Sequence, residues 1–130
     1  MPVLIDTDWI IHSLRGRADI IDRIRTYAAE GIRVSAISVA ELYEGVYYSI
    51  DTVGSEAGVR DFLSSARILD IDHETARIFG RERVRLRKMR IMIGDMDLLI
   101  GATAIRYDLT LLTNNRRDFE RIERLRIVSV

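Results

Sequence analysis

Short apolar runs alternate with longer stretches of helical periodicity along the chain. Val3-Leu4-Ile5 is an apolar run closed by Asp6-Thr7-Asp8, the pattern of a buried strand whose end meets a helix cap. Helices are predicted over 8–14 and 18–30, the second with Ile20, Ile21, Ile24 and Ala28 on one face and Gly31 as its stop. Residues 32–37 read as a second strand. Ser38 is then placed to cap a third helix, with Glu41 completing a Ser-x-x-Glu capping box. Gly54 and Gly58 loosen the chain before a helix near 56–65, and 68–71 form a third strand. Asp72 caps a helix over 73–88, 91–94 turn, and 96–107 form a helix rich in small and apolar residues. A fourth strand over 109–113, a short helix over 117–122 and an edge strand over 126–130 complete the pattern.

Strands that alternate with helices predict an α/β fold: a central, mostly parallel sheet of four to five strands flanked by helices, in one domain over residues 1–130. Ligands of such sheets bind beyond the carboxyl ends of the strands. With 48% apolar residues, the 130-residue chain can bury a core. No apolar run approaches the roughly 20 residues that span a bilayer. The N-terminal residues also lack the basic and apolar regions of a signal peptide, so the expectation is a cytoplasmic protein without a membrane partner. Without cysteine, disulfides and thiolate zinc sites are excluded.

The acidic residues carry the candidate chemistry. Asp6 closes the first strand, Glu41 lies in the helix after the second, and Asp97 opens the helix before the fourth; Asn115 follows that fourth strand. Only folding brings positions so distant in sequence together. Hard divalent cations such as Mg²⁺ and Mn²⁺ take oxygen ligands of this kind, and a metal so held activates water. Each residue also has a plainer reading: Asp6 as a helix cap, Glu41 as the capping-box acceptor. Asp97 competes with Asp95, which is two positions away and so points elsewhere on the helix. Asp95 suits the cap, which leaves Asp97 among Leu98, Ile100 and Ala102, where a carboxylate is costly unless paired with charge or metal.

Four segments carry a family resemblance: Leu4-Ile5-Asp6-Thr7-Asp8, Ser38-Val39-Ala40-Glu41-Leu42-Tyr43-Glu44-Gly45, residues 93–104 around Gly94-Asp95-Met96-Asp97, and Leu112-Thr113-Asn114-Asn115-Arg116-Arg117-Asp118-Phe119. In order and spacing, from residue 3 to about residue 128, they resemble the motifs of PIN-domain ribonucleases, and within these the VapC toxins of toxin–antitoxin pairs. The resemblance implies a three-layer PIN-like fold and endonucleolytic hydrolysis of RNA. It makes Asp6 and Asp97 direct Mg²⁺ (or Mn²⁺) ligands and gives Glu41 a water-mediated or water-orienting role. Thr7 and Asn115 then hold the outer shell. It further implies a homodimer and a VapB-like antitoxin, which can set an arginine on the carboxylates. Asn115 departs from the fourth acid that some members carry; an amide cannot take a proton from water, so one metal ion is expected rather than two. Asp118 either substitutes for that acid or caps the short helix, with Phe119 as its anchor in the core.

Net charge is zero from 20 basic and 20 acidic residues, and Lys88 is the only lysine. Six basic residues fall within 81–90. Arg83, Arg87 and Arg90 share one helix face and are read either as an RNA contact or as a solvated helix end. Tyr43, Tyr47 and Tyr48, with Val46 and Ile50, extend the Glu41 helix with an apolar stripe that is either core or a partner's groove. His12 and His73 are too far apart for a zinc pair and read as packing or surface residues. The competing function is a catalytically weak domain that binds RNA or a partner without cleaving. A receiver-like or phosphatase reading lacks paired acids after the first strand together with a lysine after the last.

Overall fold

The computed structural model describes residues 1–130. Five strands, β1 (Val3–Ile5), β2 (Ile32–Ser35), β3 (Ala66–Leu69), β4 (Thr110–Leu112) and β5 (Ile127–Val128), form one sheet in the order β3-β2-β1-β4-β5. All four pairings are parallel. Seven helices accompany them: α1 (Thr7–Leu14), α2 (Ala18–Tyr27), α3 (Ala36–Tyr48), α4 (Thr52–Leu63), α5 (His73–Lys88), α6 (Asp95–Arg106) and α7 (Arg116–Phe119).

The strands are apolar on both sides because both faces are covered. Val3 and Ile5 of β1 and Leu112 of β4 pack with Trp9 and Ile10 of α1, Ile20 and Ile24 of α2, Leu42 and Val46 of α3 and Val59 of α4. Leu4 and Leu111 point the other way, to Leu86 of α5, Leu98, Ile100 and Ala104 of α6, Phe119 of α7 and Ile122. Alternation along the central strands thus produces the three layers.

Several boundaries differ from the sequence reading. The third helix is capped by Ser35, whose Oγ accepts from the Ile37 N–H at 3.1 Å, so Ser38 lies buried inside the first turn and no capping box forms. Helix α4 begins at Thr52 because Asp51 accepts from the Gly54 N–H at 3.0 Å, a cap stronger than the loosening expected of the glycines. β3 lies two residues earlier than predicted. Asp72 does cap α5, accepting from the Thr75 N–H at 2.8 Å.

Gly101 is where α6 lies against the residues after α7. A Cβ there would stand 2.6 Å from Ile122 Cδ1 and 3.8 Å from Phe119 Cδ1. Gly101→Val is therefore expected to lower unfolding stability by about 2 kcal/mol, read by chemical denaturation.

Candidate active site

The sheet order reverses at β1, which lies between β2 and β4. Parallel α/β sheets open a crevice at such a point, beyond the carboxyl ends of the strands. Four segments deliver polar side chains to it. The β1–α1 junction supplies Asp6, Thr7 and Asp8, and α3 supplies Ser38 and Glu41. The first turn of α6 supplies Asp97, and the loop after β4 supplies Thr113, Asn114 and Asn115, with Asp118 on α7.

Asp6 is 4% exposed. Its Oδ1 accepts from the Thr7 N–H at 2.8 Å and its Oδ2 from the Thr113 hydroxyl at 2.7 Å. The cap reading and the site reading of Asp6 are compatible, because one oxygen caps α1 while the other is held by the Thr113 hydroxyl of the neighbouring loop. The Thr7 hydroxyl donates to Glu41 Oε1 at 2.7 Å and lies 2.9 Å from Ser38 Oγ. Glu41 is therefore tied to the β1–α1 junction and not to the start of its own helix. The Asn115 amide reaches Asp97 Oδ2 and Asp118 Oδ2, each at a long 3.4 Å, and its backbone N–H donates to Thr113 Oγ1 at 3.0 Å.

Burial and repulsion from neighbouring carboxylates raise two of these acids, Asp6 and Asp97. Asp6 is pushed up to about 8, chiefly by burial and then by Asp8 beside it, with Asp97 adding to the effect; the bonds from Thr113 and Thr7 oppose the shift. Asp97, half-buried, rises to about 6 through burial and the nearby Glu41, Asp118 and Asp8 carboxylates. None of the chain's ion pairs gives Asp6, Glu41 or Asp97 a cationic partner. Acids crowded together without a counter-charge fit a divalent cation, and the donors are the hard oxygens that Mg²⁺ and Mn²⁺ accept. In this structure no three of the acids converge as a ready-made ligand set.

Three expectations are corrected. Asp95 is not the cap of α6; Gly94 holds that position, and Asp95 is exposed in the first turn and pairs with Arg83. Arg83 in turn is only 8% exposed and donates to the Ile93 carbonyl at 2.9 Å, so it braces the turn before α6 and cannot meet RNA. Arg87 and Arg90 remain exposed. Asp118 does not cap α7, since Asn115 precedes that helix, and its carboxylate instead meets the Asn115 amide. His73 is exposed and His12 partly buried at the end of α1.

Residues that the sequence reading did not single out also belong here. Asp8 Oδ2 accepts from the Asn114 N–H at 3.0 Å, and Asp8 is a repulsive neighbour of both Asp6 and Asp97. Thr113 is fully buried against Asp6. The alternation Asp6-Thr7-Asp8 at a strand end is the one sequence signal for Asp8, because the N-cap and first turn of α1 keep both acids beside the end of β1.

Comparison with known proteins agrees with this architecture. The PIN domain profile matches residues 3–125. Ribonuclease VapC2 of Haemophilus influenzae is 37% identical over 124 residues, covering 95% of this chain and 93% of the relative. The tRNA(fMet)-specific endonuclease VapC of Salmonella typhimurium is 29% identical over 95% of this chain and 94% of its own length. In the crystal structure of VapBC2 from Rickettsia felis bound to a promoter DNA fragment, a chain 28% identical superposes with a TM-score of 0.94, covering 100% of this chain and 99% of that one. A five-stranded parallel sheet, a PIN domain match over residues 3–125 and relatives that align over nearly their whole length lead to one assignment: the chain belongs to the PIN-domain family, among the VapC ribonucleases.

Proposed function

We propose that this protein is a divalent-metal-dependent endoribonuclease, the toxin of a VapBC-type pair. The observation that carries the reading is the set of three acids, Asp6, Glu41 and Asp97, at the switch point with no cationic side chain to neutralise them. The ribonuclease names of the relatives support the substrate class.

Asp6 and Asp97 would hold the cation directly, with Glu41 close by. Bound Mg²⁺ or Mn²⁺ supplies Lewis acidity to a water and to the phosphate under attack. The rest is done by the chain. Thr113 fixes the orientation of Asp6, and Thr7 fixes that of Glu41, leaving a carboxylate to orient the attacking water. Asn115 donates a hydrogen bond toward the Asp97 carboxylate but takes up no proton. The competing reading, a domain that binds without cleaving, rests on Asn115 alone, while the three acids support cleavage.

A VapB-like antitoxin is the expected partner, as the VapBC complex among the structural relatives supports. A groove of about 350 Å³ between α1, α3 and α4 runs from Glu41 past Leu42, Val46, Val59 and Leu14. Its lining combines apolar side chains with Glu41 and Arg15, a mixture that suits an amphipathic antitoxin segment with charged residues of its own. Of the tyrosine stripe, Tyr43 packs on the core, while Tyr47 and Tyr48 are 70% and 93% exposed and continue into exposed Ile50 and Val53. The homodimer expected from the family has a candidate face there.

The test is cleavage of a tRNA(fMet) transcript and of total cellular RNA by purified protein freed of antitoxin, with Mg²⁺ or Mn²⁺ and with chelator. Asp97→Asn is expected to remove metal-dependent cleavage while the protein stays folded; cleavage that persists in chelator overturns the reading. Reversing the charge of Arg87 and Arg90 together is expected to weaken RNA binding roughly tenfold at low salt and to reduce the log–log salt slope by about 1–2. Arg83→Met instead is expected to cost about 2 kcal/mol of stability, leaving the Ile93 carbonyl unsatisfied. RNA affinity and slope unchanged in the Arg87/Arg90 variant would exclude that face.

A further inference from the structure

Trp9 is the chain's only tryptophan, wholly buried on α1, and its indole N–H donates to Asn114 Oδ1 at 3.1 Å. The same oxygen accepts from the Val130 N–H at 3.0 Å, so both its lone pairs are engaged. The Asn114 backbone N–H donates to Asp8 Oδ2 at 3.0 Å. Residue 114 is thus fastened to the first turn of α1 through both its backbone and its side chain, and to the segment after β5 as well. Its two neighbours are the residues of that loop that touch the acids: Thr113 meets Asp6 at 2.7 Å and Asn115 reaches Asp97 at 3.4 Å. Asn114 itself makes no hydrogen bond to Asp6, Glu41 or Asp97.

We propose that Asn114 is a positioning residue, a bracket through which Trp9 sets the Thr113 hydroxyl on Asp6 and the Asn115 amide on Asp97. The proposal rests on the metal-dependent reading of the site. The chemistry of the bracket suits the residue type. An amide oxygen accepts two hydrogen bonds without adding another negative charge to a cluster that already repels itself. Asn115 Nδ2 stands at the limit of hydrogen-bond length from two carboxylates, so a small displacement of residue 114 decides whether it engages either one. Placement errors of this order are costly in active sites.

Trp9→Phe keeps an aromatic ring in the core but deletes the N–H together with part of the indole; Asn114→Ala deletes the acceptor and leaves the core ring intact. Both are compared with wild type by residue-resolved amide hydrogen exchange, by Mn²⁺ titration without RNA, and by steady-state cleavage. Each variant is expected to speed exchange at the Asn114 and Asn115 amides roughly tenfold while α5 and α6 stay protected. The Mn²⁺ midpoint is expected to rise by a similar factor, and kcat to fall with KM for RNA little changed. At the loop amides, the double variant is expected to add little to Asn114→Ala alone, because that change already removes the acceptor of the Trp9 N–H. Unchanged exchange overturns the bracket. Faster exchange with Mn²⁺ midpoint and kcat unmoved also overturns it, since the tie would then be structural only. Wild-type protein that neither binds Mn²⁺ nor cleaves RNA overturns the reading of the site and the bracket with it. Active wild type beside indifferent variants overturns the bracket alone.

Discussion

Asp6→Asn is expected to abolish RNA cleavage and, at the same time, to make the metal-free protein more stable. The loss follows from removing a direct ligand: metal assistance is worth several kcal/mol, so cleavage falls by roughly a thousandfold. The gain follows from the environment of the group. Asp6 is almost fully buried, beside Asp8, with no cation near, and its pKa is raised from 3.8 to about 8. At neutral pH the fold either holds a proton there or tolerates an unpaired buried charge, and both cost stability. An amide carries no such penalty. Its oxygen can still accept from the Thr7 N–H, and its NH₂ can donate to the Thr113 hydroxyl, which then turns its own proton toward Asp8 Oδ1, 3.5 Å away. At 1.36 kcal/mol per pKa unit the ceiling is about 6 kcal/mol, and relaxation around the group reduces the expected gain to about 2 kcal/mol. Urea denaturation in chelator, next to cleavage assays on the same preparation, measures both. A variant that is inactive and less stable would mean that Asp6 is chiefly a structural cap. A variant that is active would remove it from the site.

Metal-free protein is expected to lose stability as pH rises from about 5 to about 8, and divalent cation is expected to cancel most of that loss. Asp6 and Asp97 are raised in the folded state, to about 8 and about 6. Below the unfolded carboxylate pKa both states are protonated. Above it the unfolded chain releases its protons first, so the folded state binds more of them and stability declines until pH passes the folded values. Asp72, Glu74 and Asp19 are shifted downward by their hydrogen bonds and ion pairs, and their stabilising contribution is lost only when pH falls well below this window. With discounts for relaxation around Asp6 and for the solvent that reaches Asp97, the decline is on the order of 3 kcal/mol. Mg²⁺ or Mn²⁺ favours the deprotonated carboxylates, so its binding releases protons and its stabilising effect grows with pH. Thermal melts across this range, with and without cation, read out the crossing. A metal-induced rise in Tm that is equal at both ends of the range would show that the cation is not bound by these acids.

Which parts of this were legible in advance follows from how far each signal reaches along the chain. The strands β1 and β4 and the α5 helix with its Asp72 cap are written in local patterns: apolar runs, a 3.6-residue period, and a carboxylate three residues before the N–H it accepts. The same kind of evidence failed where two local rules competed. Ser35 and Ser38 both suit a cap, and only the end of β2, set by its pairing with β3, decides for Ser35. Asp95 and Gly94 compete in the same way before α6, and Arg83 settles the matter by drawing Asp95 away to an ion pair.

The acids themselves were legible as candidates because each stands at a strand end or a helix start, and the order of the motifs marks the family. Sequence alone determined the alternation of strands and helices, the three acids, and the amide at Asn115. Tertiary structure decided what those groups feel. Helix geometry alone suggested that Arg83 would share an exposed face with Arg87 and Arg90, yet packing of α5 on α6 buried it. Asp8 and Asn114 were unremarkable letters until β1 and β4 paired and set them 3.0 Å apart across 106 residues of sequence. The carboxylates become a candidate site because the fold buries Asp6 and half-buries Asp97 without giving either a counter-charge. A linear sequence records which groups can ionise, but the cost of ionising them depends on neighbours that only the folded chain supplies.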